Sequence, residues 1–130
     1  KSVFTTVIDS TPLVSIDLVI ENTDGKILLG YRNNRPAKGY WFVPGGRIQK
    51  GESMDDAFQR LTQSEIGEVF KRENAIFLGP YEHFYDDYVF GEDVSTHYVV
   101  LGYIKVLLCL RQSATGKMTV LTVGSYHDFG

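Results

Sequence analysis

The chain has 130 residues, 43% of them hydrophobic and 22% charged, with a formal net charge of −3. Such a composition can build the core of one globular domain, and the acidic balance excludes a general attraction to nucleic acid or an anionic membrane. No stretch approaches the roughly twenty apolar residues of a membrane span.

Two smaller features bear on setting. The only cysteine, Cys109, sits in the apolar run from Val106 to Leu110. An intrachain disulfide is therefore impossible, and with no signal peptide visible a reducing, cytoplasmic compartment is expected. The first residue is Lys1 rather than Met, so native residues are expected to precede it. Repeats, low-complexity segments and linkers are absent, which predicts a single domain over residues 1–130.

In chain order, Val3 to Asp9 reads equally as a short helix or an irregular lead-in. Leu13 to Glu21 alternates and predicts a strand with Val14, Ile16, Leu18 and Ile20 on one face. Asp17 falls on the other face, where a polar side on an edge strand and a role in a site are equally open. Asn22-Thr23-Asp24-Gly25 has the composition of a hairpin turn. The return strand, Lys26 to Tyr31, delivers Arg32 to its end. Arg35 and Lys38 follow in a polar loop, so three cations fall within seven residues. Such a group suits either solvent or a diphosphate.

Trp41-Phe42-Val43 reads as a buried strand ended by Pro44, and Gly45-Gly46 as a turn where backbone can approach a ligand. A helix follows, with Glu52 and Ser53 placed to satisfy its free N–H groups. Met54, Ala57, Phe58 and Leu61 form one apolar stripe. Glu65 continues that stripe inward, where a carboxylate is costly unless a cation or donors meet it.

Beyond the helix, Ala75 to Leu78 and Tyr81 to Tyr85 predict a strand, then a loop through Asp86-Asp87 and Gly91-Glu92-Asp93. Thr96 to Val106 predicts a long strand, with His83, His97 and Tyr98 near this hairpin; His97 is read as structural. Lys105 to Arg111 and Met118 to Val123 predict one more hairpin. Strands around one central helix define an α/β layered fold.

Gly46, Glu52, Arg60, Glu65 and Gly67 resemble the signature of the Nudix hydrolase family: glycine, five residues, glutamate, seven residues, then Arg-Glu-x-x-Glu-Glu-x-Gly. Leu61 and Ser64 stand where two of that family's metal-binding glutamates would be, and Glu68 replaces an apolar residue. The stretches STPLVSIDLVIEN, NRPAKGYWFVPGGRIQK, AFQRLTQSEIG, EHFYDD and THYVVLGY look like the GDP-mannose mannosyl hydrolase branch, which resembles this chain in lacking those two glutamates. The resemblance covers about residues 3–106.

It implies an α/β/α sandwich with a mixed sheet, its second helix layer reduced or missing, and a homodimer. It implies hydrolysis of GDP-mannose, and of GDP-glucose, to GDP and free sugar by substitution at the anomeric carbon. One Mg2+ would be held by Gly45 and Glu65. Arg32, Arg47 and Tyr98 would hold the departing phosphate, Asp17 would contact the sugar or orient its neighbours, and His83 would support the site. Glu52 would sit behind the site and pair with Arg60. The branch carries a Gln-His pair after its last core strand. Here His127 is the comparable base candidate, preceded by Tyr126 rather than Gln, and Gln112 lies at the wrong distance. A binding-only relative and a pyrophosphatase attacking phosphorus remain the alternatives. RNA ends are disfavoured by the acidic balance and the lack of an aromatic-basic stripe.

Overall fold

The computed structural model describes residues 2–31, 41–107 and 118–122. Helix α1 is Val3–Ser10, which resolves the ambiguous lead-in. Ser2 caps it, accepting from the Thr5 amide at 3.1 Å, and Ile8 turns inward while Val3 faces solvent. Strand β1, Leu13–Asn22, and β2, Lys26–Tyr31, form the expected hairpin. At its turn the Asn22 carboxamide oxygen accepts from the amides of Asp24 and Lys26, and Gly25 takes φ 78°. An L side chain there would be strained.

The hairpin then opens like a fork. β3, Trp41–Phe42, pairs with β2, and β4, Gly45–Arg47, pairs with β1. Residues 41–47 therefore wedge between the two parting strands, with Pro44 fully buried at the crux. Trp41 is half exposed rather than buried, because β3 is a two-residue rung at the mouth of the fork. Gly45-Gly46 likewise belong to a strand and not a turn: Leu18 donates to the Pro44 carbonyl and Ile48 to the Val14 carbonyl, both at 2.8 Å.

Helix α2 is Met54–Ile66, capped by Ser53 and ended by Gly67 at φ 88°. β5, Ile76–Tyr85, and β6, Thr96–Leu107, form an antiparallel pair with a bulge between Phe77 and Gly79. β6 also runs parallel to β1 over the whole of β1. β1 is thus interior, so Asp17 does not lie on an edge strand. β7, Met118–Thr122, lies antiparallel to β2. That replaces the hairpin expected with residues from Lys105, whose strand end lies against β1 instead; residues 108–117 fall outside the described set, with Cys109 and Gln112.

Two layers flank this mixed sheet among the described residues. On one face Ile16, Leu18, Ile20, Leu28 and Tyr103 pack against Ala57, Phe58 and Leu61 of α2. Phe58 meets Tyr103 edge-on at 5.3 Å, and burying such a ring contributes about 2–3 kcal/mol. Val14, expected on this face, is exposed because it lies beyond the helix's reach. On the other face the eight residues of α1 cover only one end, where Phe4 and Ile8 meet Leu13, Tyr88, Val94 and Tyr98. Among the described residues the second helix layer is reduced, as expected.

Candidate active site

The antiparallel register of β1 and β4 decides what faces where. Residues 14/48, 16/46 and 18/44 occupy the hydrogen-bonded positions, so the backbone groups of Gly45 and Arg47 turn away from β1. The Arg47 carbonyl confirms it, accepting from the Arg60 guanidinium of α2 at 2.8 Å. The Gly45 carbonyl, two residues back, is turned the same way. A Cβ at Gly45 would overlap the Ile16 carbonyl oxygen, and one at Gly46 would sit 2.7 Å from Leu61 Cδ2. Both glycines are required by this close approach of β4 to its neighbours.

Arg60 is clamped by Glu52: its Nε donates to Glu52 Oε2 at 2.7 Å and its second nitrogen to Oε1 at 2.9 Å. The Gln49 amide also donates to Glu52 at 3.1 Å. The Arg60 hydrogen bonds, then the Gln49 amide, hold the Glu52 carboxyl down at about 2. This fork-to-fork pair ties the loop after β4 to the middle of α2. Leu61 lies against Gly46. Glu65 follows one turn later on the same helix and is half-buried.

The remaining candidates gather on the opposite sheet face. Asp17 stands directly across from Gly45 on one side and Gly102 on the other. Its carboxyl is raised from an ordinary 3.8 to about 6 by burial alone, with no hydrogen bond or charge offsetting it among the described residues. On the same face, Arg47 sits with its guanidinium carbon 4.6 Å from the Phe4 ring centre. Tyr98 pairs across to both Leu13 and His83, and Tyr85 meets both the Tyr98 and His83 rings at 6.3 Å. The structure therefore brings Asp17, Arg47, Tyr98 and His83 onto one face, with Gly45 at its border and Glu65 across the sheet. Arg32 and His127 lie outside the described residues, as do Arg35 and Lys38.

His97 keeps the structural reading: its ring stacks on Phe84 at 4.3 Å. It also borders a cavity of about 210 Å³ lined by Ile8 to Pro12 and Ser95. That cavity lies at the end of α1, away from the Asp17 row. Sequence reasoning passed over Gly102, which flanks Asp17, and Gly79 and Tyr81 on the strand beyond it. An isolated glycine inside a strand as regular as β6 was the signal available for Gly102.

Among the described residues no three or more His, Cys, Asp or Glu side chains gather into a metal site. A protein cage is thus absent there, but a glutamate and an outward-turned carbonyl are hard oxygen donors. They fit a cation such as Mg2+, which keeps several waters and takes substrate phosphates for the rest of its shell.

A mixed sheet with a helix on each face, and a glycine-bearing strand clamped to one helix by an Arg–Glu pair, define a Nudix-type α/β fold. The NUDIX domain model matches residues 11–117. The chain belongs to the Nudix family. Over 98 residues it is 45% identical to the low-salt glycan biosynthesis protein Agl8 of Haloferax volcanii, covering 75% of this chain and 60% of that protein. It is 40% identical over 70 residues to an ADP-ribose pyrophosphatase of Methanocaldococcus jannaschii, covering 54% of this chain and 40% of the relative. The chain thus spans less than two thirds of the length of either relative. A MutT NUDIX hydrolase from Burkholderia pseudomallei superposes with a TM-score of 0.65 at 25% identity, over 87% of this chain and 84% of that one. The Nudix domain of Shewanella oneidensis NrtR, solved with ADP ribose, superposes at 0.60 with 19% identity, over 87% and 74%. No described helix is long and apolar enough to cross a membrane.

Proposed function

We propose that this chain hydrolyses GDP-mannose, and GDP-glucose, to GDP and free sugar by substitution at the anomeric carbon. The observation that carries the reading is the depleted helix. Leu61, which stands at a carboxylate position of the family signature, is packed into the core against Gly46. Glu65 is then the one signature carboxylate on that inward stripe. A Nudix site attacking phosphorus gathers several carboxylates around metals and a water, whereas departure of GDP from carbon needs chiefly its own charge met.

Glu65 and the Gly45 carbonyl would hold one Mg2+. When bound, it supplies positive charge to the departing diphosphate. Arg47, together with Arg32, contributes cationic donors to the same oxygens, and Tyr98 a hydroxyl. Asp17 accepts a hydrogen bond from the sugar, and His83 supports that face. A water oxygen forms the new bond to the anomeric carbon as the bond to the β-phosphate oxygen breaks. The electron pair leaves with GDP, and the water's proton passes to a base, for which His127 is the candidate. Charge builds up on the sugar ring as the bond lengthens, so the step inverts through an oxocarbenium-like state.

GDP-mannose turnover in water enriched in heavy oxygen tests this. Label in the free sugar supports attack at carbon; label in a phosphate establishes instead a pyrophosphatase, the activity named for the Methanocaldococcus relative. Tight binding with no turnover would identify a binding-only protein. The glycan-biosynthesis role of Agl8 agrees with a sugar-nucleotide ligand.

A further inference from the structure

The cross-strand partners of Asp17 form an unusual row. Gly45 of β4, Asp17 of β1, Gly102 of β6 and Gly79 of β5 follow one another across four strands. On the face that carries α1, Asp17 is the row's only side chain. The rows on either side are not bare: Arg47, Ser15, Val100 and Tyr81 make one, and Val19, Ile104 and Ile76 line the other. A trough is therefore cut across the sheet, two strand residues from each flanking row, with a carboxylate on its floor.

Part of the trough is filled. The Tyr81 ring leans from its own strand over Gly102, with Cε2 only 3.1 Å from where a Cβ would stand. Its hydroxyl donates back to the Leu78 carbonyl at 3.2 Å, which fixes the ring's direction. The ring is nevertheless half exposed. Between Gly45 at one end and the Tyr81 ring at the other, the row sets no side chain beside Asp17.

A space of this kind has a chemistry. Its floor offers an acceptor with no partner among the described residues, its end wall offers an aromatic surface, and its other end is the border of the diphosphate site proposed above. Hydroxyl donors combined with an apolar ring face are the mark of a hexose, and carbohydrate rings pack on aromatic rings through their C–H faces. We infer that Tyr81 is the specificity-determining end wall of the sugar subsite, held in place by the absence of a side chain at Gly102. This rests on the GDP-sugar reading and adds to it a residue that contacts the glycosyl group and not the nucleotide.

The test compares binding of GDP and of GDP-mannose to the full chain, by calorimetry with Mg2+ present and with a C-glycosidic GDP-mannose analogue, which cannot turn over, standing in for GDP-mannose. Wild type should bind GDP-mannose more tightly than GDP. Tyr81→Ala should lower GDP-mannose affinity about five- to tenfold while GDP affinity stays within about twofold, and Tyr81→Phe should restore most of the loss. Gly102→Ala, which displaces the ring from its rest, should move GDP-mannose in the same direction as Tyr81→Ala. Retained GDP binding reports that each variant is folded. Equal loss of both ligands would make Tyr81 a nucleotide contact, and no loss of either would leave it without a role in binding; each overturns the inference. Equal wild-type affinity for GDP and GDP-mannose removes the sugar subsite but leaves a nucleotide site standing. A wild type that binds neither ligand defeats the GDP-sugar reading itself.

Discussion

Replacing Asp17 with Asn should make the free protein more stable and the enzyme worse. The carboxyl titrates at about 6 in the folded chain against an ordinary 3.8, and burial is the cause. At about 1.36 kcal/mol per pH unit, the folded state carries a penalty of about 3 kcal/mol once the group is ionised. The sign follows from proton counts. Between pH 3.8 and about 6 the folded chain holds more protons at this position than the unfolded one. Stability from this group is thus fully present below 3.8, is lost as pH rises through about 6, and is flat above. The substitution removes the charge at nearly constant volume, though the new amide still needs partners, so a net gain of about 1–3 kcal/mol is expected at neutral pH. Urea unfolding of both proteins at about pH 7.5 and about pH 3.5, without ligand, reads the difference directly. The gain should be present at the higher pH and absent at the lower, while GDP-mannose turnover falls at least about tenfold. An Asp17→Asn variant less stable than wild type at neutral pH, or a gain equal at both pH values, would refute the argument that Asp17 is a desolvated carboxylate kept for function.

Other expectations follow from the same contacts. Gly45→Ala forces a Cβ into the Ile16 backbone and should cost at least about 3 kcal/mol, whereas Gly46→Ala presses only on the tip of Leu61 and should cost about 1–2 kcal/mol; thermal melts rank the two. Leu61→Glu, which restores the family's carboxylate, should destabilise by at least about 3 kcal/mol without raising turnover, since Leu61 is buried against Phe58 and Gly46. Glu65→Gln should leave the melting temperature within a few degrees but reduce Mg2+-dependent GDP release at least about a hundredfold. Glu52→Gln should weaken the fold at neutral pH and equalise with wild type in acid. The wild-type carboxyl is held at about 2, below its ordinary 4.5, so its contribution is present above 4.5 and disappears as pH falls through about 2; urea midpoints across that range check it.

The sheet and its central helix were legible because their patterns are local. Alternation placed Ile16, Leu18 and Ile20 on one face of β1, and a 3.6-residue stripe placed Ala57, Phe58 and Leu61 against them. The cap at Ser53 was likewise written in the sequence, and the Glu52–Arg60 partnership followed from the family resemblance. Errors fell where a residue's environment depends on strands distant in sequence. Gly45-Gly46 carry the composition of a turn, yet a neighbouring strand claims them. Trp41 looks like core but sits at a fork's mouth. Met118 to Thr122 reads as a hairpin partner of its nearest neighbour, and pairs with β2 instead.

By itself, the sequence determined which residues can form a helix whose apolar stripe continues to Glu65, and that the net charge supplies no general attraction to a polyanion. Only the tertiary structure decided that Asp17 lies mid-sheet between two glycines, that α2 packs on the face opposite Asp17, and that Tyr81 leans over Gly102. The reason is physical. Side-chain periodicity is set by bonds within one segment, but register between strands is set by the packing of all of them together, and a carboxylate's pKa is set by whichever neighbours that register supplies.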